Sequence, residues 1–179
     1  LELTRDIAQR FNGIYGDVFT IPEAYIGKKG AKIMSLQEPG KKMSKSDTNA
    51  NATILLLDDT DTIIRKFKRA VTDSESEVRY AEEKPGISNL MDIYSAVTGK
   101  TYEEIEKEFA GKGYGDFKLA VGETVADHLK PLQERYEQLM KDKAYIESMI
   151  KQNDEKAAYY ANKTLRKVQK KVGLTERIR

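Results

Sequence analysis

The chain has 179 residues, of which 39% are hydrophobic and 34% charged, and its 31 basic and 29 acidic residues leave a net charge of only +2. That is enough apolar material for one domain or two small ones beneath a heavily solvated surface, and no apolar run is long enough to suggest a membrane span. The absence of cysteine excludes disulfides and thiolate metal sites and fits the cytosol, while the lone His128 excludes a two-histidine metal site within the chain.

Leu1-Glu2-Leu3-Thr4-Arg5 is neither a start-methionine segment nor a signal peptide. It reads as the inside of a charged helix, so the chain is expected to be a piece of something longer. Leu3, Ile7 and Phe11 recur at helical spacing up to the stop Asn12-Gly13. Residues 17–21 form a short β-rich run ended by Pro22, and residues 32–36 predict a second strand, followed by the breaker Pro39-Gly40. Residues 40–52 are small, polar and basic without periodicity, which predicts an exposed loop. Ile54 to Leu57 reads as a buried strand or a helix entry.

From Asp58 onward the pattern is helical. Ile63, Ile64, Phe67 and Val71 form one apolar stripe, with Arg65, Lys66, Lys68 and Arg69 off it. Lys84-Pro85-Gly86 predicts a turn. Ile87, Leu90, Met91, Tyr94 and Val97 predict a helix capped by Gly99. Thr101 and Glu104 form a capping box for a short helix that stops near Gly111. Phe117, Val121, Val125 and Leu129 mark the next helix. Pro131 is expected to start another, with Leu132, Tyr136, Leu139, Ile146 and Ile150 on one side. A last helix is predicted from about Asp154 to Val172, its inner edge formed by Leu165, Val168 and Val172. The organisation therefore changes near residue 57. Mixed α and β elements, too few for a closed domain, occupy residues 1–57. A bundle of five or six helices occupies residues 58–179.

The sharpest feature is Lys42-Met43-Ser44-Lys45-Ser46. Two ammonium groups three residues apart, on a loop with two hydroxyls, suit phosphate oxygens that move during a reaction, because lysine is a flexible point charge with three donors. Cleavage of ATP between its α- and β-phosphates builds charge on the leaving pyrophosphate. Cations that meet it best in the transition state lower the barrier. Composition alone would favour a solvated basic loop. The pentapeptide, however, is identical to the second signature of the class I aminoacyl-tRNA synthetases, and it stands where that signature is expected, after a strand and before a helical domain.

The flanks narrow the resemblance. Leu1 to Asp6 with Arg10-Phe11-Asn12, Ala31 to Leu36, Ala70 to Ser74, Lys84 to Leu90, Gly111 to Gly115 and Pro131 to Tyr136 together resemble the bacterial tryptophanyl-tRNA synthetases in order and over nearly the whole chain. The tyrosyl enzymes share the architecture but usually carry a variant signature. The resemblance implies a mostly α fold, with the C-terminal edge of a Rossmann-like nucleotide-binding domain followed by a helical anticodon-binding bundle. It implies that Lys42 and Lys45 bind ATP phosphates and steady the pyrophosphate, that Ser44 and Ser46 support them, and that Met43 and Ile33 lie against adenine; Ile33 also reads as a plain strand residue. ATP with Mg2+, tryptophan and tRNA(Trp) are the implied substrates of the full-length enzyme, a cytoplasmic homodimer whose interface lies largely in the catalytic domain, which leaves this fragment either monomeric or dimeric. The loop is expected to move and to close on ATP. The two-histidine first signature and most of the tryptophan pocket are missing, so this chain by itself is expected to be inactive.

Other features carry less. Gly111-Lys112-Gly113-Tyr114-Gly115 lacks the strand-to-helix setting of a dinucleotide fingerprint and reads as a helix–helix connection. His128 reads as a helix-surface residue. Asp58, Asp59 and Asp61 fit helix N-terminal charges better than a metal site. Between Lys163 and Arg179 seven basic residues face one acid, Glu176. Lys163, Lys167, Lys170 and Lys171 form either a solvated face or a surface for tRNA phosphates, which would give affinity without sequence choice. A non-catalytic helical module that binds tRNA is the rival reading.

Overall fold

The helical periodicities correspond to six α-helices among the described residues: α1 (Glu2–Tyr15), α2 (Thr60–Lys68), α3 (Pro85–Thr98), α4 (Tyr102–Glu108), α5 (Tyr114–Met140) and α6 (Lys143–Lys171). They are seen in a computed structural model that describes residues 1–27 and 32–174. Ala31, Glu176, Arg177 and Arg179, named above, lie outside the described residues. The mostly helical expectation holds. The expected strands do not form among the described residues, where a single antiparallel bridge, Met34 with Lys42, is all that remains of them. Contacts divide the chain into two units, residues 1–26 with 139–179 and residues 27–138.

In the first unit the predicted strand at 17–21 is replaced by an irregular segment folded back on α1. Asn12 captures the backbone that a strand would need: its Oδ1 accepts the amides of Val18 and Phe19 at 3.1 and 3.0 Å, and its Nδ2 donates to the Phe19 carbonyl at 2.8 Å. Phe19 packs edge-on against Phe11, with ring centroids 5.0 Å apart, and Arg5 donates to the Pro22 carbonyl. Helix α6 begins at Asp142, whose side chain accepts the Tyr145 amide, well before the predicted Asp154. None of its residues is fully buried. Val168 and Val172 are half-buried but Leu165 is 50% exposed, so the predicted inner edge is only partial.

The second unit holds the core. Ile63 and Phe67 of α2, Ile87, Leu90, Met91 and Tyr94 of α3, Ile105 of α4, Phe109, and Phe117 and Val121 of α5 are buried together with Leu36. Phe109 and Phe117 meet edge-on at 4.8 Å, and Tyr94 meets Phe117 at 5.9 Å. Such ring pairs add to simple area burial because the positive edge of one ring faces the negative face of the other. The helix signals are as expected at Asp59, which caps α2, at the Thr101–Glu104 capping box, and at Gly99, which closes α3 in the left-handed conformation.

Three expectations fail here for local reasons. Lys84-Pro85-Gly86 is the start of α3 rather than a turn, with Pro85 in its first turn, where the missing amide costs nothing. Gly86 is required by packing: a β-carbon there would stand 2.2 Å from the Val71 carbonyl. Pro131 does not start a helix but lies inside α5. Its surface position lets water serve the carbonyl one turn back that loses its donor. Gly122 lets the same helix cross closely over Ile64 of α2, where a β-carbon would be 3.0 Å from the Ile64 Cα. Finally, Ile54 to Leu57 is neither strand nor helix. The Asp58 carboxylate takes the Leu55 amide at 2.9 Å and the Asp58 amide returns to the Leu55 carbonyl at 3.0 Å. That turn leaves Leu55, Leu56 and Leu57 about half exposed.

Candidate functional site

The signature loop leaves the core through a short hairpin. The Ser35 amide donates to the Lys41 carbonyl at 2.8 Å and the Met43 amide to the Ile33 carbonyl at 3.0 Å. Ile33 and Met43 are half-buried and pack on the edge of the core. On one side the hairpin is gripped by α3: Asn89, 3% exposed, accepts the Met34 amide at 2.8 Å and donates to the Met34 carbonyl at 2.9 Å. On the other side the Leu36 amide donates to the Ala52 carbonyl at 3.0 Å, and the Leu36 carbonyl accepts the Val71 amide at 2.7 Å.

Beyond the hairpin, short polar side chains fold the backbone of residues 44–53. The Ser44 and Ser46 hydroxyls lie 3.0 Å apart, and the Ser44 carbonyl accepts both the Asp47 amide at 3.2 Å and the Thr53 hydroxyl at 2.7 Å. Asp47 accepts the Asn49 amide and Asn49 accepts the Asn51 amide. Thr53 is held in turn by Lys66, whose ammonium donates to its carbonyl at 2.9 Å and pairs with Asp58 at 2.6 Å. The result is a loop with an organised backbone and exposed cationic tips.

Lys42 and Lys45 are exposed, and among the described residues neither carries an ion pair. Lys41 next to them pairs with Glu38, whose hydrogen bond and charge raise its pKa. Two of the three neighbouring lysines are therefore exposed without a counter-charge among the described residues. Asp61 lies in the first turn of α2, and Asp58 pairs with Lys66.

Several side chains that hold the loop are not singled out by the sequence pattern. Lys66 was expected off the apolar stripe but is 5% exposed. The signal was present: it lies three residues after Ile63 and four before Ala70, on the buried face of α2. Asn89 likewise interrupts the apolar run of Ile87, Leu90 and Met91. Nothing local marks Thr53.

A second polar cluster ties the loop after α2 to α3 and α5. Lys84, only 2% exposed, lies 3.3 Å from Asp73, 2.5 Å from Glu75 and 2.9 Å from the Tyr114 hydroxyl. Burial opposes its charge, but these three partners win and raise its pKa. Burial likewise opposes the Asp73 charge, yet hydrogen bonds from Tyr114, the Glu75 amide and Lys84 hold its carboxyl below the ordinary range. Burial lowers the pKa of Lys118, which donates to the Ala70 carbonyl and to the Thr72 hydroxyl.

In the first unit, Lys163, Lys167, Lys170 and Lys171 are all exposed on α6. His128 is exposed on α5, and Lys112 and Gly113 join α4 to α5 as a helix connection.

Residues 1–130 match the family model described as tRNA synthetases class I (W and Y), and the chain belongs to that family. A tryptophan–tRNA ligase of Clostridium tetani is 53% identical over 173 residues, covering 97% of this chain and 51% of the relative. The crystal structure of tryptophanyl-tRNA synthetase from Mycoplasma pneumoniae superposes with a TM-score of 0.86 at 30% identity, covering 97% of this chain and 53% of that one. The Campylobacter jejuni enzyme, solved as a complex with ADP and tryptophan, gives 0.65 at 27% identity over the same shares. The similarity to tryptophan–tRNA ligases read from the signature and its flanks is thus upheld, and the chain spans about half the length of the relatives it matches. Among the described residues no helix is long and apolar enough to cross a membrane.

Proposed function

We propose that this chain supplies the pyrophosphate grip and the tRNA-binding helices of a cytoplasmic, homodimeric tryptophan–tRNA ligase. The observation that carries the reading is a pair of exposed ammonium groups, Lys42 and Lys45, on a loop whose backbone is held from both sides. In this reading residues 1–57 are the C-terminal part of a Rossmann-like catalytic domain and residues 58–179 a helical anticodon-binding domain. The substrates are ATP with its Mg2+, tryptophan and tRNA(Trp).

The tryptophan carboxylate attacks the α-phosphorus of ATP and the bond to the β-phosphate breaks. Lys42 and Lys45 meet the charge that accumulates on the departing pyrophosphate, where fixed donors act most strongly. Ser44 and Ser46 donate to phosphate oxygens, and Ile33 and the Met43 backbone border the adenine. The adenylate is then passed to the tRNA terminus. Lys163, Lys167, Lys170 and Lys171 contact tRNA phosphates. The chain alone makes no adenylate, because the residues that bind tryptophan and the first signature belong to the other half of the enzyme.

The test is tryptophan-dependent ATP–pyrophosphate exchange in the full-length enzyme. Lys42→Ala and Lys45→Ala are each expected to lower the rate by about 10²–10³. Wild-type exchange in both variants would overturn the reading in favour of a non-catalytic RNA-binding module. Exchange that responds to tyrosine and not to tryptophan would favour a tyrosyl relative.

A further inference from the structure

We infer that Thr53, Lys66 and Asp58 are positioning residues that set the direction of the signature loop. The inference rests on the proposed role of that loop. Ser44 stands between the two lysines, two residues after Lys42 and one before Lys45, so its peptide orientation decides where both ammonium groups project. The Thr53 hydroxyl fixes that peptide by donating to the Ser44 carbonyl at 2.7 Å. Thr53 is itself 9% exposed and immobilised, with its carbonyl 2.9 Å from the Lys66 ammonium.

Lys66 is an expensive way to hold a carbonyl. Its side chain is 6% exposed, beside the buried Ile63 and Phe67, and its charge is balanced by Asp58, whose side chain is 13% exposed. A buried ion pair of this kind adds little net stability relative to an apolar side chain of similar shape. What methionine could not supply is a donor aimed at the loop. Asp58 completes the arrangement: the carboxylate oxygen that receives Lys66 also takes the Leu55 amide at 2.9 Å. The chain from 53 to 58 is thereby closed into a rigid bracket between α2 and the loop. Helix α2, packed on the core through Ile63 and Phe67, thus reaches the reacting phosphates through three side chains and no substrate contact.

The experiment compares Thr53→Val, Thr53→Ser and Lys66→Met in the full-length enzyme, with Lys45→Ala alongside. A displacement of about 1 Å in a catalytic group costs up to a hundredfold in rate. Thr53→Val is therefore expected to lower kcat/KM for ATP by about tenfold to a hundredfold. The KM for tryptophan and the melting temperature should stay unchanged. Thr53→Ser, which keeps the hydroxyl, should recover the ATP parameters. Lys66→Met should follow Thr53→Val in direction. Wild-type ATP kinetics in Thr53→Val, while Lys45→Ala is impaired, would overturn the positioning role and leave the loop's function standing. Equal losses for ATP and tryptophan, or no recovery in Thr53→Ser, would also overturn it. An unimpaired Lys45→Ala would remove the loop reading itself, and the positioning role with it.

Discussion

The signature loop and helix α6 both present lysines to solvent, but the two regions hold them in opposite ways. Lys42 and Lys45 stand on irregular backbone that is fixed by distant groups: Asn89 from α3, Thr53 and Lys66 from around α2, and the backbone of Val71. Lys163, Lys167, Lys170 and Lys171 stand on regular helix in which no residue is fully buried. Regularity is therefore no measure of how firmly a charge is placed. A cation that must meet a transition state needs long-range anchors. One that contributes to a diffuse field for a polyanion needs only to be on the correct face.

The largest test of this contrast concerns stability. Phe117→Ala removes a fully buried ring at the centre of the aromatic cluster and should cost about 3–5 kcal/mol. Leu165→Ala on α6, where the side chain is 50% exposed, should cost under about 1 kcal/mol. Denaturant titration of both variants checks the pair, and equal losses would break the contrast.

A smaller effect is expected from pH. The Asp73 carboxyl is held below its ordinary value of 3.8 in the folded chain. Its extra stabilisation is complete above that value and is lost as pH falls through the depressed folded pKa. Lys84 works in the opposite sense. Its raised pKa gives stabilisation that is whole below 10.5 and declines only as pH climbs through the folded value. Melting temperatures of the wild type should therefore fall more steeply below about pH 4 than those of Asp73→Asn. Parallel acid limbs would show that the cluster does not couple protons to folding.

The smallest effect belongs to α6. Lys167→Ala should weaken tRNA binding to a similar degree for cognate and non-cognate tRNA and reduce the slope of log affinity against log salt by about one. A loss confined to the cognate tRNA would show that this helix is placed as firmly as the loop, and would erase the distinction.

What the sequence disclosed divides along the same line. Features that depend on neighbours three or four residues away were legible: the helix-start charge at Asp59, the Thr101–Glu104 box, the Gly99 stop and, of the stripe Ile63, Ile64, Phe67 and Val71, the buried Ile63 and Phe67, whereas Val71, beyond the end of α2, is 46% exposed. Features settled by distant partners were not. Residues 17–21 have strand composition, but Asn12 consumes their hydrogen bonds. Residues 54–57 are the exception: apolar enough for a buried strand, they are turned outward by a local partner, Asp58, three residues from Leu55. The residues of the pentapeptide Lys42 to Ser46 were legible as a motif because their types and order are distinctive. The supports beneath them were not, since Thr53 touches Ser44 from nine positions away and Asn89 meets Met34 from 55.

The grip of Asn89 on Met34 also covers a backbone edge. A hairpin with, among the described residues, one bridge and no neighbouring strand presents raw backbone edge, the kind of template on which a second chain can add and begin a fibril. By occupying both hydrogen-bonding groups of Met34 with a side-chain amide, α3 blunts that edge as a protecting strand would. The Met34 backbone is left with no free donor or acceptor for intermolecular pairing.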